Sequence, residues 1–183
     1  MKFIFRWIGF ALGVVSLNVL AGPAEIDLIG LRMGQSEVAD VARLGTKRFP
    51  PDEEFWNLEI GGHKMPCSVK FIDGKLSRIL CFTGDSSGTR NTAASNLQVH
   101  EELKAGYLKK FGKPDLDESQ EVQNRMGAKF LQNKVRWNDA IGNFLSLENM
   151  SSRVTAGIVL FVSEAHQRRV QEEQAKKDAE KKF

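Results

Sequence analysis

The stretch Cys67–Cys81, CSVKFIDGKLSRILC, holds both cysteines of the 183-residue chain and constrains its fold more than any other segment. Two apolar runs flank Asp73-Gly74, the strongest short-range signal for a β-hairpin closed by a two-residue turn. Such a turn places Ile72 opposite Lys75. It then places Cys67 opposite Leu80, and Cys81 points to the other side of the hairpin. A direct Cys67–Cys81 bridge therefore requires a three- or five-residue loop, or one β-bulge. Gly74 makes a bulge beginning at a left-handed glycine accessible. The shifted register also pairs Val69 with Ile79, which suits packing.

The chemical state of the two sulfurs depends on compartment. Thirteen intervening residues exclude a CxxC redox motif, and a structural zinc site wants four ligands where only His63 lies near Cys67. The N-terminus supplies the compartment. Lys2 and Arg6 precede the apolar run WIGFALGVVSLNVLA, which is shorter than the roughly 20 residues of a membrane span. Val19 and Ala21 occupy the −3 and −1 positions of a cleavage site, and a cut one residue later would expose Pro23. The reading is a signal peptide over residues 1–21, cleaved after Ala21, and a periplasmic or secreted protein. LAGP matches a lipoprotein signal with Pro23 in place of the lipidated cysteine, so no lipid anchor is expected. In an oxidising compartment the expectation is a disulfide. Its 15-residue loop would contribute about 3 kcal/mol in the chain-entropy model.

Loss of Lys2 and Arg6 with the leader lowers the formal net charge from +3 to +1. That balance gives no electrostatic case for nucleic acid, which wants a basic face or stripe.

Along the remaining chain, GLRMGQSEVADVARLG predicts a short helix with Ser36 as N-cap, Val38, Val41, Ala42 and Leu44 as its apolar face, and Gly45 as its C-terminal stop. EFWNLEI, MPCSVKFI and KLSRILCF predict three strands. The small polar run around TGDSSGTRNTAAS predicts a linker over residues 84–94. A second helix follows, with Ser95 and Gln98 as a capping box and Val99, Leu103, Tyr107 and Phe111 on one stripe. Gly112 and Pro114 end it. AKFLQNKVRW, NFLSLEN and RVTAGIVLFV predict three more strands. The charged tail 164–183 predicts a solvated helix with i,i+4 pairs such as Glu172–Lys176. The expected architecture is α+β: two helix-plus-three-stranded antiparallel sheet repeats, 22–83 and 95–163, with a polar C-terminal helix.

The start GLRMGQSEVADVARLG, followed by a strand hairpin containing FIDGKLSRI, resembles the helix-plus-antiparallel-sheet modules of two envelope families. These are the secreted β-lactamase inhibitor protein and the small outer-membrane assembly factors of the BamE type. Gly30, Gly34, Ser36, Val38, Leu44 and Gly45 carry the likeness, all at cap or packing positions, and FGKPD carries it in the second half. The resemblance implies a modular α+β fold and a binding role.

Catalytic signals are sparse. None of His63, His100 and His166 has a nucleophile or carboxylate companion at a recognised spacing, and His100 reads as a half-exposed helix residue. TGDSSGTR lacks the strand, GK[ST] and helix context of a phosphate loop. No cofactor or metal is expected. The binding candidates are large apolar residues in polar settings: Phe55, Trp56, Trp137 and Phe144. If Trp56 and Trp137 both faced solvent, they would mark one shared binding face. The expected function is non-catalytic binding of a cell-envelope protein, or inhibition of a secreted enzyme. The alternative is a small periplasmic hydrolase or ligand-binding enzyme, which would need a closed pocket around His63 or His100.

Overall fold

The computed structural model describes residues 25–48, 54–83, 93–123, 127, 129–150 and 158–180. The leader and residues 84–92 of the predicted linker lie outside them.

The central hairpin pairs β5 (His63–Ile72) with β6 (Lys75–Phe82). Its turn keeps the two-residue form: Asp73 and Gly74 both adopt positive φ, 51° and 76°, as a primed hairpin turn requires. Ile72 faces Lys75 and Phe71 faces Leu76, yet Lys70 faces Arg78, Val69 faces Ile79 and Cys67 faces Cys81. The unpaired residue is Ser77, so the bulge sits in β6 rather than at the glycine. Leu76 and Ser77 are consequently both buried, breaking the alternation of the strand. Ser77 Oγ donates to Lys70 O at 3.0 Å, and Ser77 O accepts from Ser163 N at 2.9 Å. With one residue absorbed, Cys67 and Cys81 meet in a disulfide, their Cα atoms 4.0 Å apart.

The hairpin lies inside one continuous antiparallel sheet. The first half runs β3 (Gly45–Lys47), β4 (Phe55–Ile60), β5 and β6. The second runs β7 (Leu116–Gln123), β8 (Lys129–Asn138), β9 (Phe144–Met150) and β10 (Ile158–Val162). Their spatial order is β3-β4-β5-β6-β10-β9-β8-β7. The expectation of two helix-plus-three-strand repeats is therefore corrected: β6 pairs directly with β10 through five residue pairs and joins the halves. Among the described residues the fold is mostly β, with one eight-stranded sheet, a two-stranded ribbon and three helices. The ribbon is β1 (Asp27–Leu28) with β2 (Leu31–Arg32).

Helix α1 (Val38–Leu44) starts one residue later than expected, capped by Glu37 in a reciprocal box with Asp40. Ser36 Oγ instead accepts from Arg32 N at 3.0 Å. Gly45 does not take a left-handed stop; it opens β3 directly, and a Cβ there would lie 2.4 Å from Asn57 O. Helix α2 (Ala93–Phe111) begins before Ser95, within the segment expected as linker, and ends at Gly112 with φ 78°. The charged tail forms α3 (Glu164–Glu180), with i,i+4 pairs Arg168–Glu164 and Arg169–Glu173. Among the described residues no helix is long and apolar enough to cross a membrane.

Cross-strand register divides the sheet into two faces. Trp56, Cys67, Cys81, Val159, Leu147 and Val135 form one row of the packed face. Val69, Ile79, Phe161, Leu145 and Trp137 form the next. All are buried, in one core with Leu103 and Tyr107 of α2, Val41 of α1, Leu28 and Leu31 of the ribbon and Ile26 just before it.

Candidate binding face

The opposite face follows from the same ladders. One row runs Phe55, Ser68, Leu80, Leu160, Ser146, Arg136 and Leu116. A parallel row runs Lys70, Arg78, Val162, Phe144 and Asn138. Two of its largest apolar side chains stand well out of the protein, Phe55 at 39% and Phe82 at 38% exposure, while Leu80, Leu160 and Phe144 are half-buried. Ser146 and Val162, short side chains between longer neighbours, are buried. The first turn of α3 stands at one margin, where Ser163 N bonds the bulge and Ser163 Oγ accepts from His166 N at 3.0 Å.

The four binding candidates divide between the faces. Trp56 (1% exposed) and Trp137 (0%) share a face, but it is the packed one. Trp137 donates its indole N–H to Gly112 O at 3.0 Å and meets the Tyr107 ring edge-on at 5.9 Å. A face marked by two exposed tryptophans does not exist. The reason is alternation: Phe55 and Trp56 are adjacent in β4, so only one can point outward, and the larger ring is buried. Phe55 and Phe144 do lie on the open face. Sequence reasoning missed Phe82, Leu80 and Leu160 there, though period two from Cys81, once assigned inward, would have placed Phe82 and Leu80 outward.

Cations frame the apolar strip. The Arg136 guanidinium lies 3.9 Å from the Phe144 ring centroid and donates from Nε to Asn138 Oδ1 at 2.8 Å. Burial pulls the Arg136 pKa down, with the charge of Asp115 opposing. Lys134 pairs with Glu148 at 3.0 Å, and Lys70 pairs with Glu54. Arg78 has only Ser68 Oγ, at 3.4 Å, and no carboxylate within 4.0 Å among the described residues.

No family model, curated protein or solved structure matches the chain.

The histidines bear on an enzymatic reading. His63 at the start of β5 meets Glu102 of α2, Nε2 to Oε2 at 2.9 Å, and Gln98 holds the other carboxylate oxygen at 2.8 Å. The carboxylate companion that the spacing did not reveal is thus 39 residues away in sequence. Among the described residues no hydroxyl or thiol hydrogen-bonds His63. The pair joins the β4–β5 turn to α2. His100, expected half-exposed, is buried at 3% exposure, and burial holds its pKa below the usual histidine value. Among the described residues no group of three or more His, Cys, Asp or Glu side chains is placed to hold a metal ion.

Proposed function

We propose that this is an exported, non-catalytic binding protein that engages a cell-envelope protein or a secreted enzyme through the face of its eight-stranded sheet opposite the packed core. One observation carries the reading: a sheet whose central strands are buried on one side holds Phe55 and Phe82 exposed and Leu80, Leu160 and Phe144 half-buried on the other, interleaved with Arg78 and Arg136. Aromatic and arginine side chains in such a setting dominate interface energetics. An antiparallel sheet tolerates one solvated face, but that face is ordinarily polar. The disulfide is consistent with an oxidising compartment. The leader over residues 1–21, cleaved after Ala21, and the likeness of GLRMGQSEVADVARLG to envelope binding modules support export and a binding role.

The test is capture from the exported fraction of cells that make the chain, comparing the wild type with Phe82→Asp and with Leu97→Asp. Leu97 is similarly exposed but lies on α2, on the packed side. The reading expects a partner that Phe82→Asp loses and Leu97→Asp keeps. Recovery of the same proteins by all three, or of none, refutes it.

A further inference from the structure

Three groups compete as further sites: the shallow cleft beside Tyr107 and Lys110, the His63–Glu102 pair, and the cationic corner of the open face. In the first, Lys110 is already bound to Asp27 at 2.7 Å. The second is closed by its own partners. Only the third leaves a charge unanswered.

At that corner Arg78 Nε is buried and bonded to nothing among the described residues, and so is His166 Nδ1 of α3. Burial depresses the His166 pKa, and the positive charges of Arg78, Arg169 and Lys70 depress it further against the pull of Glu173. The four groups are therefore electrostatic neighbours. The carboxylates around them are engaged: Glu54 with Lys70, Glu173 with Arg169 at 3.5 Å, and Glu164 with Arg168 at 3.0 Å. A guanidinium donates five N–H bonds in a planar fork suited to a carboxylate. Arg78 Nε is closed to solvent, so an incoming carboxylate meets the terminal N–H groups, which have one weak acceptor in Ser68 Oγ and stand on the rim of an apolar strip. Val162 separates Arg78 from Phe144 in their row, and Leu80 and Leu160 lie in the row beside it.

We propose that Arg78 is the carboxylate-receiving position of the open face: the partner is a polypeptide whose docking segment sets an Asp or Glu side chain on Arg78 and an adjacent apolar side chain on the Leu80–Leu160–Phe144 strip. This inference rests on the open face being the docking surface. Charge complementarity sets the occupant. A basic segment would meet the carboxylate-free Arg78 unfavourably, and an apolar one would leave its terminal N–H groups without further acceptors.

The experiment titrates the exported chain with three probes: the alternating octapeptides (Glu-Leu)4 and (Lys-Leu)4, and acetate. It follows the Arg78 Nε–Hε resonance, assigned by its disappearance in Arg78→Gln. The acidic peptide is expected to shift that resonance saturably and to bind at least ten-fold more tightly than the basic peptide or acetate. Arg78→Gln is expected to weaken it at least ten-fold, and Arg78→Glu to reverse the preference between the peptides. Acidic-peptide binding that survives Arg78→Gln, or equal binding of both peptides, overturns the inference and leaves the docking surface standing. An acetate affinity equal to that of the acidic peptide also overturns it, in favour of a small-anion site. If neither peptide binds while Phe82→Asp still abolishes capture of the partner, the acidic segment is wrong and the face is right. If capture fails as well, both fall.

Discussion

Reduction of Cys67–Cys81 tests how much the central hairpin depends on its covalent clip. The bridge spans 14 positions in sequence. In the chain-entropy model, releasing that loop costs about 3 kcal/mol at 25 °C. Both cysteines are buried, at 2% and 0% exposure. Replacing both by alanine also deletes two core sulfurs, each comparable to a methylene, at about 1 kcal/mol apiece. The reduced wild type should therefore lose about 3 kcal/mol and Cys67→Ala/Cys81→Ala about 5 kcal/mol. A domain of this size has roughly 5–15 kcal/mol to lose, and each kcal/mol is worth about 2–4 °C in Tm. The double variant should melt roughly 10–20 °C below the oxidised protein. Urea titration followed by tryptophan fluorescence suits the measurement, because Trp56 sits beside Cys67 in the ladder and Trp137 lies on the same buried face. The urea m-value should rise on reduction, since an uncrosslinked denatured chain exposes more surface. A loss under about 1 kcal/mol with an unchanged m-value would refute the reasoning. It would mean that the Asp73-Gly74 hairpin persists in the denatured chain and restrains it without the bond.

Two further outcomes follow from the buried polar groups. Asp139 accepts from Ile141 N, Asn143 N and Asn143 Nδ2, and Asn143 Oδ1 in turn accepts from Glu164 N at the start of α3; Asp139→Ala should cost about 2–3 kcal/mol, and equal urea midpoints for variant and wild type would show the turn to be held otherwise. His100 and His166 both have folded-state pKa values held down mainly by burial, so the folded chain takes up their protons later than the unfolded chain. The stability from their neutral forms is complete above the unfolded value near 6.5 and is lost as pH falls through the folded values. Urea midpoints should drop between pH 7.5 and 5, less steeply in His100→Gln, and a flat profile would contradict the shifts.

What the residues disclosed and what they hid divides along physical lines. The hairpin, its bridge and the register conflict were legible because turn chemistry and period two are local. The α2 stripe was legible as well: Leu103 and Tyr107 are buried, and Val99 and Phe111 pack against the core. Strand β7 was not, because DESQEV shows no alternation. It is an edge strand exposed along nearly its whole length and exists by pairing with β8. The union of the halves was hidden for a related reason. IVLFV reads as a well-covered strand, but nothing in it specifies β6 as the neighbour. The open face suffered from a different ambiguity, since Phe55 and Trp56 are equally apolar and only their common core decides which one turns inward.

Ser77 ties these features together, and its removal makes a sharper test than its substitution. The bulge reconciles the two-residue turn with the facing cysteines, yet deleting Ser77 leaves every β5–β6 pair in place: Ile72 with Lys75, Phe71 with Leu76, Lys70 with Arg78 and Cys67 with Cys81. The extra residue is therefore not required by the bridge itself. It is required by what leans on it. Its carbonyl receives Ser163 N, where β10 turns into α3, and its hydroxyl satisfies Lys70 O. It also advances Leu76, whose N–H and C=O bond Ser36 O and Gly34 N at 2.7 Å each, toward the ribbon and α1. Deletion should preserve the disulfide while costing about 2–4 kcal/mol for the several hydrogen bonds lost. It should also release α3 from the sheet, so the His166 pKa, measured by NMR, should rise toward its ordinary value as its burial is relieved and Arg78 and Lys70 recede. Mass spectrometry under non-reducing conditions checks the bridge. Two free thiols in the deletion variant would show that the bulge sets the cysteine register after all; an intact bridge with an unmoved His166 would show that α3 is anchored by its bonds to Gly142 and Asn143 without the bulge.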